Sequence, residues 1–293
     1  MCRHLAYLGP PTPVGELLTR GPYSLRTQSW APREMRGGGT INADGFGVAW
    51  WHLPDAATPD GGPGVIWHGG ASPDSRAAAR ATSAETASTT ADLTVSRYRN
   101  AAPIWTDPAV GEVLPQLRST AVLAAIRSAT VGMPIERSAC APFTHGRWAF
   151  SHNGAIPDWR RVLTDVAAEF GSPPLLEAES LTDSAALWVI LRGLLEGGGM
   201  EPGEAVRRVM AAVLARSPEA RLNLLLGDGV GIWGSTWHHS LSVLAGDGFF
   251  VVASEPFDDD SRWRPVGDRQ LVRVVGGRVS VEPLDIEIGR AGS

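Results

Sequence analysis

The sequence contains no lysine, since all 26 of its basic residues are arginine. Without lysine the chain cannot form a Schiff base, anchor pyridoxal phosphate or supply the lysine of a phosphate-binding loop. Cysteine is also scarce, with only Cys2 and Cys140 present. Two cysteines cannot build a disulfide framework or a cysteine-rich metal site, so we expect a reducing, cytoplasmic setting and no bound metal.

Positive charge and long apolar runs are lacking too. The 26 basic residues face 31 acidic ones, which gives a net charge of −5, so we expect neither nucleic acid nor an anionic membrane as a partner. No apolar run approaches the ~18 residues of a membrane span, and the N-terminus lacks the basic and apolar segments of a secretory signal. Hydrophobic residues still make up 43% of the chain, enough for a sizeable core.

The hydrophobic pattern predicts strands first, then helices, then a run of antiparallel hairpins. Strands are expected at 3–8, 45–52, 119–126 and 147–152, and helices at 157–170, 183–196 and 203–216. Three hairpins follow, with glycine-containing turns at 227–229, 246–248 and 276–277. This order favours an α+β fold with antiparallel sheets over a doubly wound parallel sheet.

Two stretches differ in composition from the rest of the chain. Residues 53–64 are rich in proline, aspartate, glycine and alanine, and residues 71–94 are rich in alanine, serine and threonine. We interpret both as surface insertions. Because the sequence has neither an internal repeat nor a clear linker, it predicts a single domain over residues 1–293.

Cys2 has an unusual chemical option because of its position. A methionine aminopeptidase removes Met1 before a small residue, which would leave Cys2 with a free α-amino group. Such an amine has an ordinary pKa of about 8, so it can take the thiol proton and serve as general base for the same residue's nucleophile. The alternative is an inert thiol near a chain terminus.

Three further segments carry groups suited to a small polar substrate. Arg127 follows a buried strand and can bind a carboxylate, and Thr130 lies in a loop that can approach a ligand. The Asn153 amide and the Gly154 N–H, expected in a turn after a strand, can bind an oxyanion. Asp183 can bind an ammonium or favour the positive end of a helix. A surface arginine and an ordinary Asn-Gly turn are the alternatives.

Together these segments resemble the class II glutamine amidotransferases, which are N-terminal-nucleophile hydrolases. The matching pieces recur in the family's order: Cys2 and residues 44–47, 127–132, 142–143, 150–154 and 182–184. The resemblance implies a four-layer αββα sandwich, with two antiparallel sheets between helical layers. It further implies that Cys2 is the nucleophile and that its own amine is the base. By the same resemblance Asn153 and Gly154 are the oxyanion donors. Arg127 is then the clamp on a glutamyl α-carboxylate, and Asp183 is the partner of the glutamyl α-ammonium.

The opening block is similar to one subfamily, the γ-glutamyl amidohydrolases of ergothioneine biosynthesis. The similarity rests on residues 1–11, 24–25, 28–29, 31–33, 41–47, 96–99 and 103–107. It implies a small-molecule γ-glutamyl substrate, γ-glutamyl-hercynylcysteine S-oxide, cleaved to glutamate without a cofactor or a metal. That substrate carries a trimethylammonium group, which aromatic faces bind well, and Trp30 and Trp105 are the candidates for binding it.

Two other functions remain open at this point. A glutaminase subunit that supplies ammonia to a separate synthetase would share all of these catalytic residues. A non-catalytic binding module could retain the same fold. The chain contains no nucleotide-binding motif or appended synthetase domain, which favours a hydrolase that acts alone.

Overall fold

The computed structural model describes residues 2–34, 36, 41–52 and 93–287. The predicted insertion at 53–64 lies outside these residues, as do residues 71–92 of the second predicted insertion. Thr94, the last residue of that second stretch, begins a strand. Within the described ranges no helix is both long enough and apolar enough to cross a membrane.

The strands form two antiparallel sheets. The strands are β1 (Arg3–Pro13), β2 (Phe46–His52), β3 (Thr94–Asn100), β4 (Arg118–Ile126), β5 (Phe143–His145), β6 (Trp148–Ala155), β7 (Arg221–Gly227), β8 (Ile232–Ser235), β9 (Ser242–Gly246), β10 (Phe249–Ala253), β11 (Arg264–Pro265), β12 (Gln270–Val275) and β13 (Arg278–Pro283). One sheet has seven strands in the order β11-β9-β10-β1-β4-β2-β3, and the other has six in the order β13-β12-β8-β7-β6-β5. β1 is therefore the central strand of the larger sheet.

The helices fall into two groups along the chain. They are α1 (Val14–Thr19), α2 (Leu25–Gln28), α3 (Ala109–Glu112), α4 (Trp159–Phe170), α5 (Asp183–Glu196) and α6 (Pro202–Arg216), with single 3₁₀ turns at Ile104–Thr106, Leu114–Gln116, Arg137–Ala139 and Leu175–Glu177. α5 begins where the sequence predicts it, because the Thr182 side chain accepts the N–H of Ala185 and caps the helix.

Three apolar clusters separate the layers. One packs α1, α2 and α3 on the outer face of the seven-stranded sheet, and one packs α4, α5 and α6 on the outer face of the six-stranded sheet. The third fills the space between the sheets, where Ala6, Leu123, Ala149 and Leu225 lie. This arrangement confirms the α+β fold, and its order of layers is helix, sheet, sheet, helix.

The predicted end of β1 at Leu8 is wrong. The strand continues through Pro10 to Pro13, and its pairing with β4 shifts register between Leu8 and Thr12. Proline has no N–H to donate to a sheet, so it is tolerated where the ladder is interrupted. The Tyr7 hydroxyl donates to the Pro10 carbonyl at 2.7 Å and holds the irregular segment in place.

Candidate active site

Cys2 stands immediately before β1, at one end of the larger sheet. In the antiparallel pairing of β1 with β4, Arg3 lies opposite Ile126, so the next residue outward on each strand brings Cys2 beside Arg127. The Sγ atom of Cys2 lies 3.8 Å from the carbonyl oxygen of Ser128, and the side chain is half-buried. The structure thus makes neighbours of the cysteine and the arginine that the sequence singles out.

A buried ion pair holds the backbone of Cys2. The Arg3 guanidinium donates to the Cys2 carbonyl at 3.1 Å and to the Glu34 carbonyl at 3.0 Å, and its Nε lies 3.7 Å from the Glu255 carboxylate. Burial lowers the pKa of Arg3, and the charge of Glu255 opposes that shift. Glu255 also accepts the N–H groups of Arg33 and Glu34. The pair therefore ties Cys2 to the loop around residues 33–34.

The inner faces of the two sheets bring β1 and β6 together. Side chains alternate along a strand, and Ala6 and Ala149 both belong to the cluster between the sheets. One alternation further along each strand, the Nδ1 atom of His4 lies 3.2 Å from the hydroxyl oxygen of Ser151. The two strands therefore run in opposite directions across the interface, and β1 leads from Ala6 toward its N-terminus as β6 leads from Ala149 toward its C-terminus.

Asn153 takes the next inward-facing position on β6, and Cys2 takes the corresponding position just before β1. The same alternation brings the two residues opposite each other across the sheets. Asn153 is fully buried, and neither atom of its amide group has a hydrogen-bond partner among the described residues. Buried amide groups are almost always hydrogen-bonded, so this one is suited to bind a ligand beside Cys2.

The predicted turn at residues 153–154 is wrong. β6 continues to Ala155, and within it Gly154 pairs with Leu222 of β7. Glycine is required there because a Cβ atom would lie 1.8 Å from the carbonyl oxygen of Arg221. Close contact between two strands, and not the geometry of a turn, explains the glycine.

The backbone N–H of Gly154 points to an open edge of β6. Two residues further on, the N–H of Ile156 donates to the Asp183 carboxylate at 3.1 Å. Alternate N–H groups of a strand point to the same edge, so the Gly154 N–H points toward the Asp183 side. The neighbouring strand β5 pairs with β6 only as far as Phe150, which leaves this donor outside that ladder.

Arg127 lies at the end of β4, where two loops meet. Its backbone N–H donates to Gly45 at 2.8 Å, and its carbonyl accepts the N–H of Asp44 at 3.0 Å. The Asp44 carboxylate accepts the N–H of Ala129 at 2.7 Å. The Nη1 atom of Arg127 is buried, and in the part of the chain that the structure describes it has no hydrogen-bond partner. A guanidinium fixed in this way is suited to bind a carboxylate.

Asp183 lies in the first turn of α5 and is nearly buried, with 7% of its surface exposed. Its carboxylate accepts the N–H of Ile156 at 3.1 Å and that of Ser184 at 2.8 Å. The carboxylate lies at the positive end of the helix dipole. Across residues 2–34, 36, 41–52 and 93–287 no cation forms an ion pair with it, so its charge is available to an ammonium group.

A small cavity joins these elements. It has a volume of about 20 Å³. Its lining residues are Cys2, Ala125, Ile126, Arg127, Ala139, Ala141, Phe143, Ser151, His152 and Ser184. Cys2 and Arg127 are thus in the lining, and Asn153 and Asp183 adjoin His152 and Ser184. A larger, mostly apolar cavity of about 600 Å³ between α4 and residues 171–181 contains none of the predicted site residues.

Thr130, Trp30 and Trp105 do not line the small cavity. Thr130 is exposed in the loop after β4. The two tryptophan rings contact each other edge to face, with centroids 5.7 Å apart, and Trp30 is 45% exposed. Ser29, the residue before Trp30, accepts the N–H of Asn42 at 2.7 Å. This contact ties the tryptophan pair to the segment that leads to the Arg127 loop.

Two histidines near Cys2, His4 and His152, are buried. Burial, with smaller contributions from the charges of His152 and Arg3, lowers the pKa of His4 to about 3. The Nε2–H group of His152 donates to the Arg221 carbonyl at 2.9 Å, and its Nδ1 atom lies 3.1 Å from the Ser184 hydroxyl oxygen. Both rings therefore have fixed orientations.

Sequence reasoning missed Arg3 and Glu255 and gave His4 no role in the site. Arg3 and His4 follow Cys2 in the chain, but Glu255 is more than 250 residues away. The only signal for Glu255 in the sequence is that an acidic residue follows the apolar strand β10. Cys140 is a buried thiol, and burial raises its pKa to about 11. Among the described residues no three His, Cys, Asp or Glu side chains form a group that could hold a metal ion.

The chain is similar to curated proteins over nearly its whole length. It is 38% identical to γ-glutamyl-hercynylcysteine sulfoxide hydrolase of Mycobacterium tuberculosis (strain CDC 1551 / Oshkosh) over 286 residues, which cover 97% of each chain. It is 37% identical to the Mycolicibacterium smegmatis protein of the same name over 284 residues, which cover 97% of this chain and all of that one. No protein-family model matches.

A solved structure confirms the fold. The glutamine aminotransferase class-II domain protein of Silicibacter pomeroyi superposes with a TM-score of 0.57 at 19% identity, over 97% of this chain and 99% of that one. At this identity the likeness concerns the fold alone, and it agrees with the two antiparallel sheets between helical layers. Because relatives above 30% identity span almost the entire sequence, the chain belongs to the γ-glutamyl-hercynylcysteine sulfoxide hydrolase family.

Proposed function

We propose that the chain cleaves the γ-glutamyl amide bond of γ-glutamyl-hercynylcysteine sulfoxide and releases glutamate and hercynylcysteine sulfoxide. The observation that carries this proposal is the buried, unpartnered amide of Asn153 opposite Cys2, within the described residues. Relatives named for this activity are 38% and 37% identical to this chain in sequence. The single domain over residues 1–293 and the cytoplasmic setting are part of the proposal.

The first half of the proposed reaction forms a thioester on Cys2. After Met1 is removed, the α-amine of Cys2 takes the thiol proton and the sulfur attacks the γ-carbonyl carbon. The electron pair of the C=O bond moves to oxygen, where the Asn153 amide and the Gly154 N–H stabilise the negative charge. The C–N bond then breaks, and the ammonium of Cys2 gives its proton to the leaving nitrogen.

The second half releases glutamate. The amine of Cys2, now neutral again, takes a proton from a water molecule whose oxygen attacks the thioester carbonyl carbon. The same two donors stabilise the second oxyanion. When the C–S bond breaks, the sulfur takes back the proton, and the enzyme returns to its starting state. The chain's own groups and water account for every proton.

Recognition of the glutamyl head group is assigned to Arg127 and Asp183. The unpartnered guanidinium nitrogen of Arg127 would bind the α-carboxylate, and the Asp183 carboxylate would bind the α-ammonium. Two such contacts fix the γ-carbonyl near Cys2, and orientation of this kind lowers the barrier by several kcal/mol, about 7–11 in well-oriented intramolecular cases. Thr130, in the loop that follows Arg127, would contact the glutamyl group from the exposed side.

The direct test offers two substrates to the wild type and to Cys2→Ala. Glutamate release is measured from γ-glutamyl-hercynylcysteine sulfoxide and, separately, from free glutamine. We expect the wild type to prefer the sulfoxide strongly and Cys2→Ala to release no glutamate from either. A preference for glutamine would instead indicate a glutaminase that feeds a synthetase, and no release from either would indicate a binding module.

The Trp30–Trp105 pair would bind the trimethylammonium group of the leaving half. Replacing either tryptophan by alanine removes an aromatic face, so KM for the sulfoxide substrate should rise about fivefold or more. KM for a simple γ-glutamyl amide should stay unchanged. Trp30→Phe is the matched control because it keeps an aromatic face. Equal effects of Trp30→Ala on both substrates would rule out this role.

A further inference from the structure

His239 is held beside Asn153 by a clamp on the neighbouring strand. Asn223 of β7 accepts the N–H groups of Trp237 and His239 at 3.0 and 2.9 Å, and it donates to the His239 carbonyl at 2.9 Å. In the sheet, Asn223 is the register partner of Asn153, so the two side chains share a face. The backbone of His239 is therefore fixed within one side chain's length of the Asn153 position.

The His239 side chain is buried, with 2% of the residue exposed. Burial is the main reason that the pKa of His239 is far below its usual range, and the charges of His238, Arg221, Arg3 and His152 lower it further. A neutral imidazole ring has one N–H donor and one acceptor nitrogen.

Unpartnered polar atoms converge at this end of the space between the sheets. Both ring nitrogens of His239, both amide atoms of Asn153 and the Nε2 atom of His4 are buried, and none has a hydrogen-bond partner in the described ranges. If the side-chain N–H of Asn153, on Nδ2, binds the substrate oxyanion, the Oδ1 atom of the same side chain still requires a donor. Buried polar groups of this kind are commonly bridged by a water molecule with about two to four partners.

We propose that His239 donates a hydrogen bond to Oδ1 of Asn153 through one bridging water molecule, and so keeps the Asn153 N–H group directed at the substrate carbonyl. Among the described residues the ring and the amide form no direct hydrogen bond, so a bridging water would have to join them. Nε2 of His4 gives the water a further partner. His239 is then a positioning residue that acts through Asn153, and this inference rests on the proposed function.

A double-mutant cycle tests this inference through its coupling. His239→Leu keeps the bulk of the side chain but removes donor and acceptor, and it should lower kcat about tenfold or more with KM unchanged. Asn153→Ala should lower kcat about a hundredfold or more. If His239 acts through Asn153, the double variant should be no slower than Asn153→Ala alone. Multiplied effects, or a change in KM alone, would overturn the inference.

Two further variants separate positioning from structure. His239→Gln retains a donor and an acceptor and should recover most of kcat, whereas His238→Asn, at the exposed neighbour with a positive φ of 91°, should match the wild type. His239→Ala replaces the leucine variant if thermal unfolding indicates a loss of fold. The cycle is measured with the sulfoxide and with glutamine. If the wild type does not cleave the sulfoxide, the proposed function is contradicted. If His239→Leu is fully active on a substrate that the wild type cleaves, the inference is contradicted.

Discussion

Arg127 combines a backbone fixed on both sides with a buried guanidinium nitrogen that has no partner among the described residues. Asp183, on α5, has a carboxylate that accepts two backbone N–H groups. One offers positive charge and the other negative charge, and both flank the cavity that contains Cys2. An amino acid head group carries the complementary pair of charges, so we expect the two residues together to favour a γ-glutamyl substrate over an amide without that head group.

Replacing Arg127 by glutamine tests this complementarity. Glutamine retains a donor but loses the charge and the paired geometry, so kcat/KM for a γ-glutamyl substrate should fall about a hundredfold. Steady-state kinetics on the sulfoxide measures the loss. Arg137→Gln is the matched control, since Arg137 is an exposed arginine close to the same loop. Equal kinetics for the two variants would contradict the assigned role.

The sequence predicted candidate site residues that the structure places around one small cavity, but it did not predict what supports them. Cys2, Arg127 and Asp183 could be proposed as candidates because their local segments are distinctive. Glu255 could not, because its ion pair with Arg3 joins positions more than 250 residues apart. Long-range burial of this kind leaves almost no local pattern in the sequence.

At the scale of elements, β6 positions the oxyanion donors. The strand pairs with β7 throughout, and beyond Phe150 its other edge is outside the β5 ladder. One edge is thus fixed and the other faces the site. A turn at residues 153–154, as the sequence indicated, would have given the donors less support, because it would lack the pairing with β7 that holds this segment.

Gly154→Ala should damage both the fold and the activity. Its Cβ atom would lie 1.8 Å from the Arg221 carbonyl oxygen, so β6 and β7 must move apart, at a cost of about 1–3 kcal/mol in the free energy of unfolding. The displaced N–H should also lower kcat. Urea unfolding and steady-state kinetics measure the two effects. Gly111→Ala, where a Cβ atom meets nothing within 4 Å, is the control, and equal stability of the two variants would contradict this account.

The boundaries of regular elements were predictable where local signals are strong. α5 has the predicted bounds because a capping threonine precedes it, and the three glycine-marked hairpins of the C-terminal third lie where the sequence placed them. β3 and the three-residue β5 were missed, because each depends on its neighbour in the sheet. β1 runs past its prolines for the same reason, as pairing with β4 resumes at Thr12.

At the scale of the whole molecule, the site lies at one end of the space between two sheets. The apolar cluster fills most of that space, and the polar end contains Cys2, His4, Asn153 and His239. Burial keeps His4 and His239 neutral in the folded chain, whereas the same histidines of the unfolded chain bind protons in mild acid. The arrangement makes stability depend on pH.

The free energy of unfolding should therefore fall in mild acid. The pKa of His4 is about 3 in the folded chain against an ordinary value of 6.5, so between these values the unfolded chain binds a proton that the folded chain does not. At about pH 5 this costs about 2 kcal/mol relative to about pH 7. Urea unfolding at both pH values should give a smaller difference for His4→Asn. His52→Asn, at an exposed histidine, is the control, and an unchanged difference in His4→Asn would contradict the assignment.

The most direct test of the account looks for the γ-glutamyl thioester. Wild-type protein is mixed with γ-glutamyl-hercynylcysteine sulfoxide, quenched with acid within the first turnover, and digested for mass spectrometry. The account predicts a γ-glutamyl group on the sulfur of an N-terminal Cys2 that has lost Met1, and no such group in Cys2→Ala. Glutamate release by protein that retains Met1, or a γ-glutamyl group on Cys140 instead, would contradict it.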